Sequence, residues 1–406
     1  MNRRNEKQLI VGLDIGTSKV LVVVGEVQVG EPVEVIGIGS HVTRGLKRGA
    51  VVDIESTMHS IRSAVEEAEL MAGCEIRAVH ASISGSHLET LNSHGTAAIR
   101  DQEVSAADVE AVLDAAGAVA IPADRKLLYK EPQEYRIDGQ DGIRRPVGMS
   151  GVRLEANVHL VTGAASAVQN LAKCIERCGI QVDALIPAAI ASARAVLTDD
   201  ERELGVCLVD VGAGTTDIAI FAQGAIRYTR ALPVGGDQVT NDIAFGIHTP
   251  TSNADEIKVK YACALPQMAN AEETVQVPSV GDRPPRRLAR QALAQCVHDR
   301  YEEIFEMVQD ELRRSALDNL ISAGVVLTGG SVSMEGALEL AEEVFHKMVR
   351  IGRPQLQGGK AEAVCGVTHS TAVGLVLHGI RSETTVSGSG VDRAIDRLRG
   401  WLNKNF

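Results

Sequence analysis

The sequence contains no run of the ~18 consecutive apolar residues by which a membrane-spanning helix is recognised, so any membrane contact is expected to be peripheral. The opening "MNRRNEKQLIVGLDIG" begins basic, but Asp14 interrupts its apolar part, and it reads as neither a secretory signal nor a span. A basic excess is missing too. Lys and Arg number 41 against 53 Asp and Glu, a net charge of -12, which excludes a general nucleic-acid binder relying on a positive footprint. The seven cysteines (Cys74, Cys174, Cys178, Cys207, Cys263, Cys296 and Cys365) lack paired metal spacing, and their odd count fits a reducing cytoplasm. Cys174 and Cys178, the one close pair, are expected to pack on one helix face. Aromatic residues make up only 3%, and the single tryptophan, Trp401, lies in the C-terminal "GWLNKNF" behind "SGSG", an unusual place for a core residue.

What the sequence does have is a repeated loop. "LIVGLDIGTSKVLVVVGEV" is apolar and β-branched on both sides of a Gly/Thr/Ser turn, which predicts strand, tight loop, strand. "ELGVCLVDVGAGTTDIAIFAQG" repeats the pattern, Leu13-Asp14-Ile15-Gly16-Thr17 aligning with Val209-Asp210-Val211-Gly212-Ala213. A distant duplication giving two related lobes is the economical reading, and 406 residues imply two or more domains. A third loop, Gly329-Gly330 in "VVLTGGSVSMEGALEL", turns a strand into an amphipathic helix.

The expected organisation is a first lobe over 1–81 completed by 366–381, and an inserted subdomain over 82–157 whose helix is opened by Ser105 and Asp108. A second lobe spans 158–240 and 310–365, with a second insertion over 241–309. A flexible linker over 382–390 and a terminal helix over 391–406 complete the chain.

Asp-x-Gly-Thr at a strand turn suits phosphate chemistry. Glycines let backbone N–H groups approach a phosphate, and hydroxyls add donors. The aspartate, repelled by phosphate, can hold Mg²⁺ through water, and the metal then bridges to the phosphates. One such turn alone is better explained by a hairpin with no ligand; two in matching strands plus a strand–Gly–Gly–helix form a constellation. Neither a G-x-x-x-x-G-K-[ST] loop nor a G-x-G-x-x-G following a strand is present.

These residues resemble the superfamily of actin, the heat-shock chaperone ATPases and the sugar kinases: residues 14–19 and 210–217 its two phosphate loops, 328–331 its adenosine motif. "THSTAVGLVLHG" resembles the helix that crosses between lobes, with Ala372 and Gly374 allowing close packing. "PVGMSGVRLEANVHLVT", "VPSVGDRPPRRLARQ" and "STAVGL", with the tail, further resemble the FtsA family of bacterial cell-division proteins over essentially the whole chain. That resemblance implies an α/β, actin-like two-lobed fold with duplicated ribonuclease-H-like cores, an inserted subdomain 1C and a C-terminal amphipathic helix. It implies ATP and Mg²⁺ as cofactors. Gly16, Thr17, Ser18, Lys19, Gly212, Ala213, Gly214, Thr215 and Thr216 would then meet the phosphates. Gly235, Gly236, Lys258, Gly329, Gly330 and Ser331 would meet the adenosine, and Asp14 and Asp210 would lie nearest Mg²⁺, through water. At the place where actin carries a water-positioning glutamine, "PAAIASARAVL" carries Arg194, a poor positioner. ATP binding with slow or negligible hydrolysis is expected, and no catalytic residue is assigned.

On a helix at ~100° per residue, Val391, Ile395, Leu398, Trp401, Leu402 and Phe406 share an apolar face, while Arg393, Arg397 and Lys404 lie off it. A terminal helix packed on the protein's own core is one reading. The preceding linker, the basic charge on an acidic protein and the aromatic beside cations favour a membrane-surface helix. So short a helix is a weak anchor, and polymerisation would multiply it. The resemblance supplies the rest: self-assembly, FtsZ bound at the second insertion, later division proteins bound through 1C, and anionic lipids at the cytoplasmic face of the inner membrane. Arg283, Arg286, Arg287 and Arg290 form a local basic cluster suited to an acidic FtsZ tail, or an ordinary solvated face. A sugar-kinase-like phosphotransferase is the main alternative, disfavoured because Asp14 and Asp210 are the only well-placed carboxylates. A pilus-assembly actin-like protein is another, although it would not require the tail.

Overall fold

The computed structural model describes residues 7–28, 31–281, 283–356 and 358–386. The expected terminal helix, with all its membrane-facing residues, and the end of the expected linker lie outside them. Valine dictates the centre of the first lobe. In the strand Lys19–Val27, the stretch Val20, Leu21, Val22, Val23 and Val24 is fully buried, as a strand covered on both faces must be. It pairs antiparallel with Gln8–Ile15 and Glu34–Val42, while Ala78–Ile83 and Gln181–Pro187 extend the sheet in parallel beyond Gln8–Ile15. The second lobe repeats this plan. Val206–Val211 pairs antiparallel with Thr216–Ala222, that strand with Ala225–Leu232, and Val325–Thr328 and Val349–Ile351 follow in parallel. Two five-stranded sheets of one order and one set of directions bear out the duplication read from the loops.

Helix Ile54–Ala72 lies on one face of the first sheet, drawn close by Gly37 and Gly39; a Cβ on Gly39 would stand 1.9 Å from the Ala64 carbonyl oxygen. Two helices cross on the opposite face, towards the second lobe. They are Ala188–Val196 and Ser370–Val386, packed together in one apolar core. The crossing helix runs to Val386, so residues 382–386 are helical where a linker is expected.

The inserted subdomain is a four-stranded antiparallel sheet, in spatial order Leu88–Ala98, Arg153–Ala164, Arg125–Ile137 and Gln140–Ile143, covered by helix Ala106–Gly117. Its last strand runs past 157, and Gln181–Pro187 belongs to the first sheet. The expected second-lobe segment 158–240 therefore begins too early, and the second sheet starts at Val206. Sequence could not show this, because both strands pair with partners distant in the chain. Ser105 caps the insertion helix as expected, its hydroxyl accepting from Asp108 N at 3.2 Å while the Asp108 carboxylate accepts from Ser105 N at 3.0 Å. Ser105→Ala should cost about 1 kcal/mol, read as faster amide exchange across Ala106–Gly117 with the two lobes unchanged.

The second insertion holds helix Thr251–Tyr261 and the hairpin Thr274–Val277 with Arg286–Ala289. Helix Arg290–Arg314 then returns the chain to the second-lobe core, where Ile304, Phe305, Val308 and Leu312 are buried. Cys174 is buried in helix Ala165–Glu176, but Cys178 lies in the turn just beyond the helix end, so the pair does not share a helix face as expected; its Sγ donates back to the Cys174 carbonyl.

Candidate functional site

A cleft of about 950 Å³ separates the lobes. Each lobe contributes the loop between the first two strands of its sheet, and the two loops close alike. Gly16 N–H donates to Lys19 O at 3.1 Å, and Gly212 N–H to Thr215 O at 2.9 Å. They meet across the cleft: a Cβ on Gly214 would stand 2.5 Å from Thr17 Oγ1. Among the described residues, the N–H groups of Thr17, Ser18, Ala213 and Gly214 find no partner in the protein. The carbonyls of the second loop, by contrast, are engaged. Gly212 O accepts from Gly236 N and from Ser331 Oγ, at 3.0 and 2.8 Å, and Ala213 O accepts from Asp237 N at 2.8 Å. Free donors on loops with tethered acceptors are the makings of an anion site.

Three carboxylates flank the loops, Asp210 and Asp217 buried and Asp14 partly buried. Asp14 accepts from Ser82 Oγ at 2.7 Å, and burial, with Asp210 adding to it, raises its pKa to about 6. Asp210 accepts from Ser192 Oγ at 2.5 Å and Thr371 Oγ1 at 3.3 Å, and burial raises it as well. Asp217 is the residue the sequence reading missed. Register sets it opposite Asp210 in the second sheet, and it accepts from Ser84 Oγ, which reaches over from the first lobe, at 2.7 and 2.8 Å. Burial raises it to about 7. Its one sequence signal was its place at the end of "DVGAGTTD". With Asp217 in the cleft, the statement that Asp14 and Asp210 are the only well-placed carboxylates does not hold.

Carboxylates raised this far by burial are relieved by a cation. Among the described residues no cluster of three or more Asp, Glu, His or Cys could hold a metal directly. Lys19 is on the cleft wall, its pKa lowered by burial against the pull of Asp14.

Gly329, Gly330, Ser331, Gly236 and Lys258 line the far end of the cleft. Gly329 has φ +93, and a Cβ there would lie 2.3 Å from Asp210 Oδ1, so the turn needs glycine. Lys258 Nζ donates to Thr240 Oγ1 at 2.6 Å and pairs with Asp255 at 2.7 Å. Two expected contacts stand back from the wall. Thr216 is fully buried, its hydroxyl donating to Val234 O, and Gly235 packs behind the second loop against Gly212 O and Ala213 O.

Arg194 turns away from the cleft, and its guanidinium donates to Tyr129 Oη at 3.1 Å, beside Glu131 of the insertion. The helix places Ser192, not Arg194, towards the loops. The basic cluster also divides. Arg283 and Arg287 are exposed, and Arg286 donates to Ile247 O. Arg290 lines the cleft, paired with Glu335 and, at 3.2 Å, with Glu273. Their spacing in sequence spans a strand and a helix start, and these point the side chains differently.

Comparison with known proteins decides the family. The chain is 56% identical to the cell division protein FtsA of Pseudomonas aeruginosa, over 98% of both chains. The chain belongs to the FtsA family. It is 44% identical to the Escherichia coli FtsA over 100% of each and 40% identical to that of Borreliella burgdorferi. The family profile "Cell division protein FtsA" matches residues 207–374, and "SHS2 domain inserted in FTSA" matches 85–162, the inserted subdomain. Among solved structures, a chain of the "PilM-PilN type IV pilus biogenesis complex" aligns with a TM-score of 0.64 at 18% identity, covering 91% of this chain and 98% of that one. MreB 5 of Spiroplasma citri bound to AMPPNP aligns with a TM-score of 0.55 at 12% identity, covering 94% and 99%. The actin-like fold expected from the loops is thus the fold of this FtsA-family, cell-division protein.

Proposed function

We propose that this cell-division protein binds ATP with Mg²⁺ in the interlobe cleft, assembles with copies of itself, and holds FtsZ at the cytoplasmic face of the inner membrane through its C-terminal amphipathic segment. The observation that carries the nucleotide reading is the meeting of the two mirrored loops at Thr17 and Gly214, with free backbone donors and carboxylates of raised pKa on both sides. The loop donors would take phosphate oxygens. Asp14 and Asp210 would hold the ion's water shell, the ion neutralising phosphate charge, and Gly329–Gly330 would leave room for a flat nucleoside. MreB 5, of the same fold, is a protein seen with AMPPNP and with ADP.

Slow turnover remains the expectation. The helix Ala188–Val196 offers no glutamine, and its arginine faces elsewhere. The membrane reading rests on the sequence of 391–406. It accords with the fact that among the described residues no helix is long and apolar enough to cross a membrane. Family membership supports extending this reading to FtsZ at the second insertion, recruitment of later division proteins through 1C and residence at the division site. Arg283 and Arg287 are the cluster members free to meet an acidic partner.

The deciding experiment sediments full-length protein and a chain ending at Gly390 with anionic vesicles, with and without ATP and Mg²⁺. Full-length protein should co-sediment, more so with ATP, and Trp401 fluorescence should shift to the blue. Equal sedimentation of the truncated chain would remove the tail as anchor. Separately, Gly214→Val should abolish ATP binding by calorimetry, since its side chain would occupy the space of Thr17. Phosphate transfer to a small hydroxyl acceptor at rates typical of kinases would favour the phosphotransferase instead.

A further inference from the structure

The inserted subdomain is rooted in the first lobe but touches the second. The edge strand Ala225–Leu232 of the second-lobe sheet lies across one face of the insertion sheet, against Leu88–Ala98, Arg153–Ala164 and Arg125–Ile137, with no backbone ladder between the sheets. Side chains do the joining. Thr90 Oγ1 donates to Thr229 O at 3.0 Å, Asn92 Nδ2 to Arg227 O at 3.1 Å and Gln133 Nε2 to Ile226 O at 2.7 Å. Behind them His159, 1% exposed, contacts Asn92 Oδ1 through Nδ1 at 2.8 Å and Thr229 Oγ1 through Nε2 at 3.0 Å. Asn92 Oδ1 can only accept, so Nδ1 donates and Nε2 accepts from the threonine hydroxyl. The unpaired carbonyls of the second-lobe edge strand are thus met by side chains from the face of the insertion sheet. Farther out, Arg144 pairs with Glu203.

Two short routes lead from this contact to cleft carboxylates. Ser84, which binds Asp217, stands four residues before Leu88, where the insertion's edge strand starts. Arg125 pins the link, donating to His87 O at 3.1 Å and to Thr162 Oγ1 at 3.1 Å. On the other route Tyr129 Oη donates to Glu131 and accepts from Arg194, on the same crossing helix as Ser192, the donor to Asp210.

We propose that the inserted subdomain is a strut that fixes the angle between the lobes, so that whatever binds it changes the cleft and whatever fills the cleft changes how it binds. The element with two arrangements is the pair of lobes, closing about the crossing helices. The insertion biases it by holding the outer edge of the second sheet relative to the first lobe. Linkage makes the effect reciprocal: the factor by which a partner on the insertion alters cleft affinity is the factor by which the cleft ligand alters that partner's affinity. The nucleotide half of this statement rests on the reading of the cleft given above; the mechanical half does not.

The test uses the full chain carrying Asn92→Ala with Gln133→Ala, and separately Tyr129→Phe, which keeps the ring and removes only the hydroxyl. Hydrogen exchange is followed in the protein without nucleotide. Both variants should exchange about fivefold or more faster than wild type in the cleft segments 14–19 and 212–217, with Ala106–Gly117 inside the insertion unchanged. Wild-type rates in the cleft segments, with change confined to the insertion, would overturn the strut. In the second arm ATP affinity should fall about fivefold or more in both variants, and unchanged affinity would also overturn it. Should wild-type protein bind no ATP, the nucleotide reading fails on its own, while the exchange arm still decides the strut.

Discussion

Gly374→Ala is expected to destabilise the protein by about 3 kcal/mol or more, although it adds a single methyl group. The two crossing helices touch backbone to backbone at this point, and the new Cβ would stand 1.8 Å from the Ala191 carbonyl oxygen. Neither partner can yield by turning a side chain. The helix Ser370–Val386 would have to lift off, and it also rests on Gly12 and Gly25 of the first sheet, where a Cβ would stand 2.4 Å from Ala372 O and 2.7 Å from Val376. Lifting it opens the core that Ala372, Val373, Leu375 and Val376 fill. Gly117→Ala is the control, because its nearest neighbour would be the flexible Lys130 side chain at 3.5 Å. Thermal unfolding should show a clear fall in midpoint for the first variant and almost none for the second. A midpoint for Gly374→Ala within a degree or so of wild type would mean that the helices do not cross this closely.

Asp217→Asn should make the ligand-free protein more stable at pH 8 while leaving it unchanged at pH 4. Burial raises the Asp217 pKa from 3.8 to about 7, so the folded state holds its proton more tightly than the unfolded chain does. A group of this kind supports the fold fully below the unfolded value and loses that contribution as pH rises through the folded value. The interval from 3.8 to about 7, at about 1.4 kcal/mol per pH unit, sets an upper bound of roughly 4 kcal/mol, with about 1–2 kcal/mol expected after relaxation. Asparagine keeps both hydroxyl partners, since Ser84 and Thr215 can rotate to accept from its amide. Asp14 also titrates in this range, so the comparison is the difference between wild type and variant at each pH, without divalent cation. Wild type that is equally stable relative to the variant at both pH values would remove Asp217 from the set of strained carboxylates. Adding ATP with Mg²⁺ should stabilise wild type more than the variant, because a cation relieves a charge that asparagine lacks.

Much of this protein is local pattern. Apolar, β-branched runs on either side of Gly-Thr and Gly-Ala turns, repeated nearly two hundred residues apart, announce two lobes of one plan. A Ser105–Asp108 box announces a helix start, and Gly374 a close crossing. Such features are legible because strand, turn and cap geometry depend on neighbours within a few residues. The chain by itself therefore determined the two-lobed fold, the mirrored loops and two of the three carboxylates that flank them.

The tertiary structure decided what depends on residues brought together from afar. Asp217 joins the site because antiparallel register sets it opposite Asp210 and because Ser84 arrives from the other lobe. Arg194 leaves the cleft because the insertion offers Tyr129 and Glu131 on that side of the helix, and Arg290 turns inward to Glu273 and Glu335. Residues Arg153–Ala164 and Gln181–Pro187 fall into two different sheets, neither of them the second lobe's. In each case a side chain or strand had several partners available to it, and long-range packing, which no short stretch of sequence encodes, selected one.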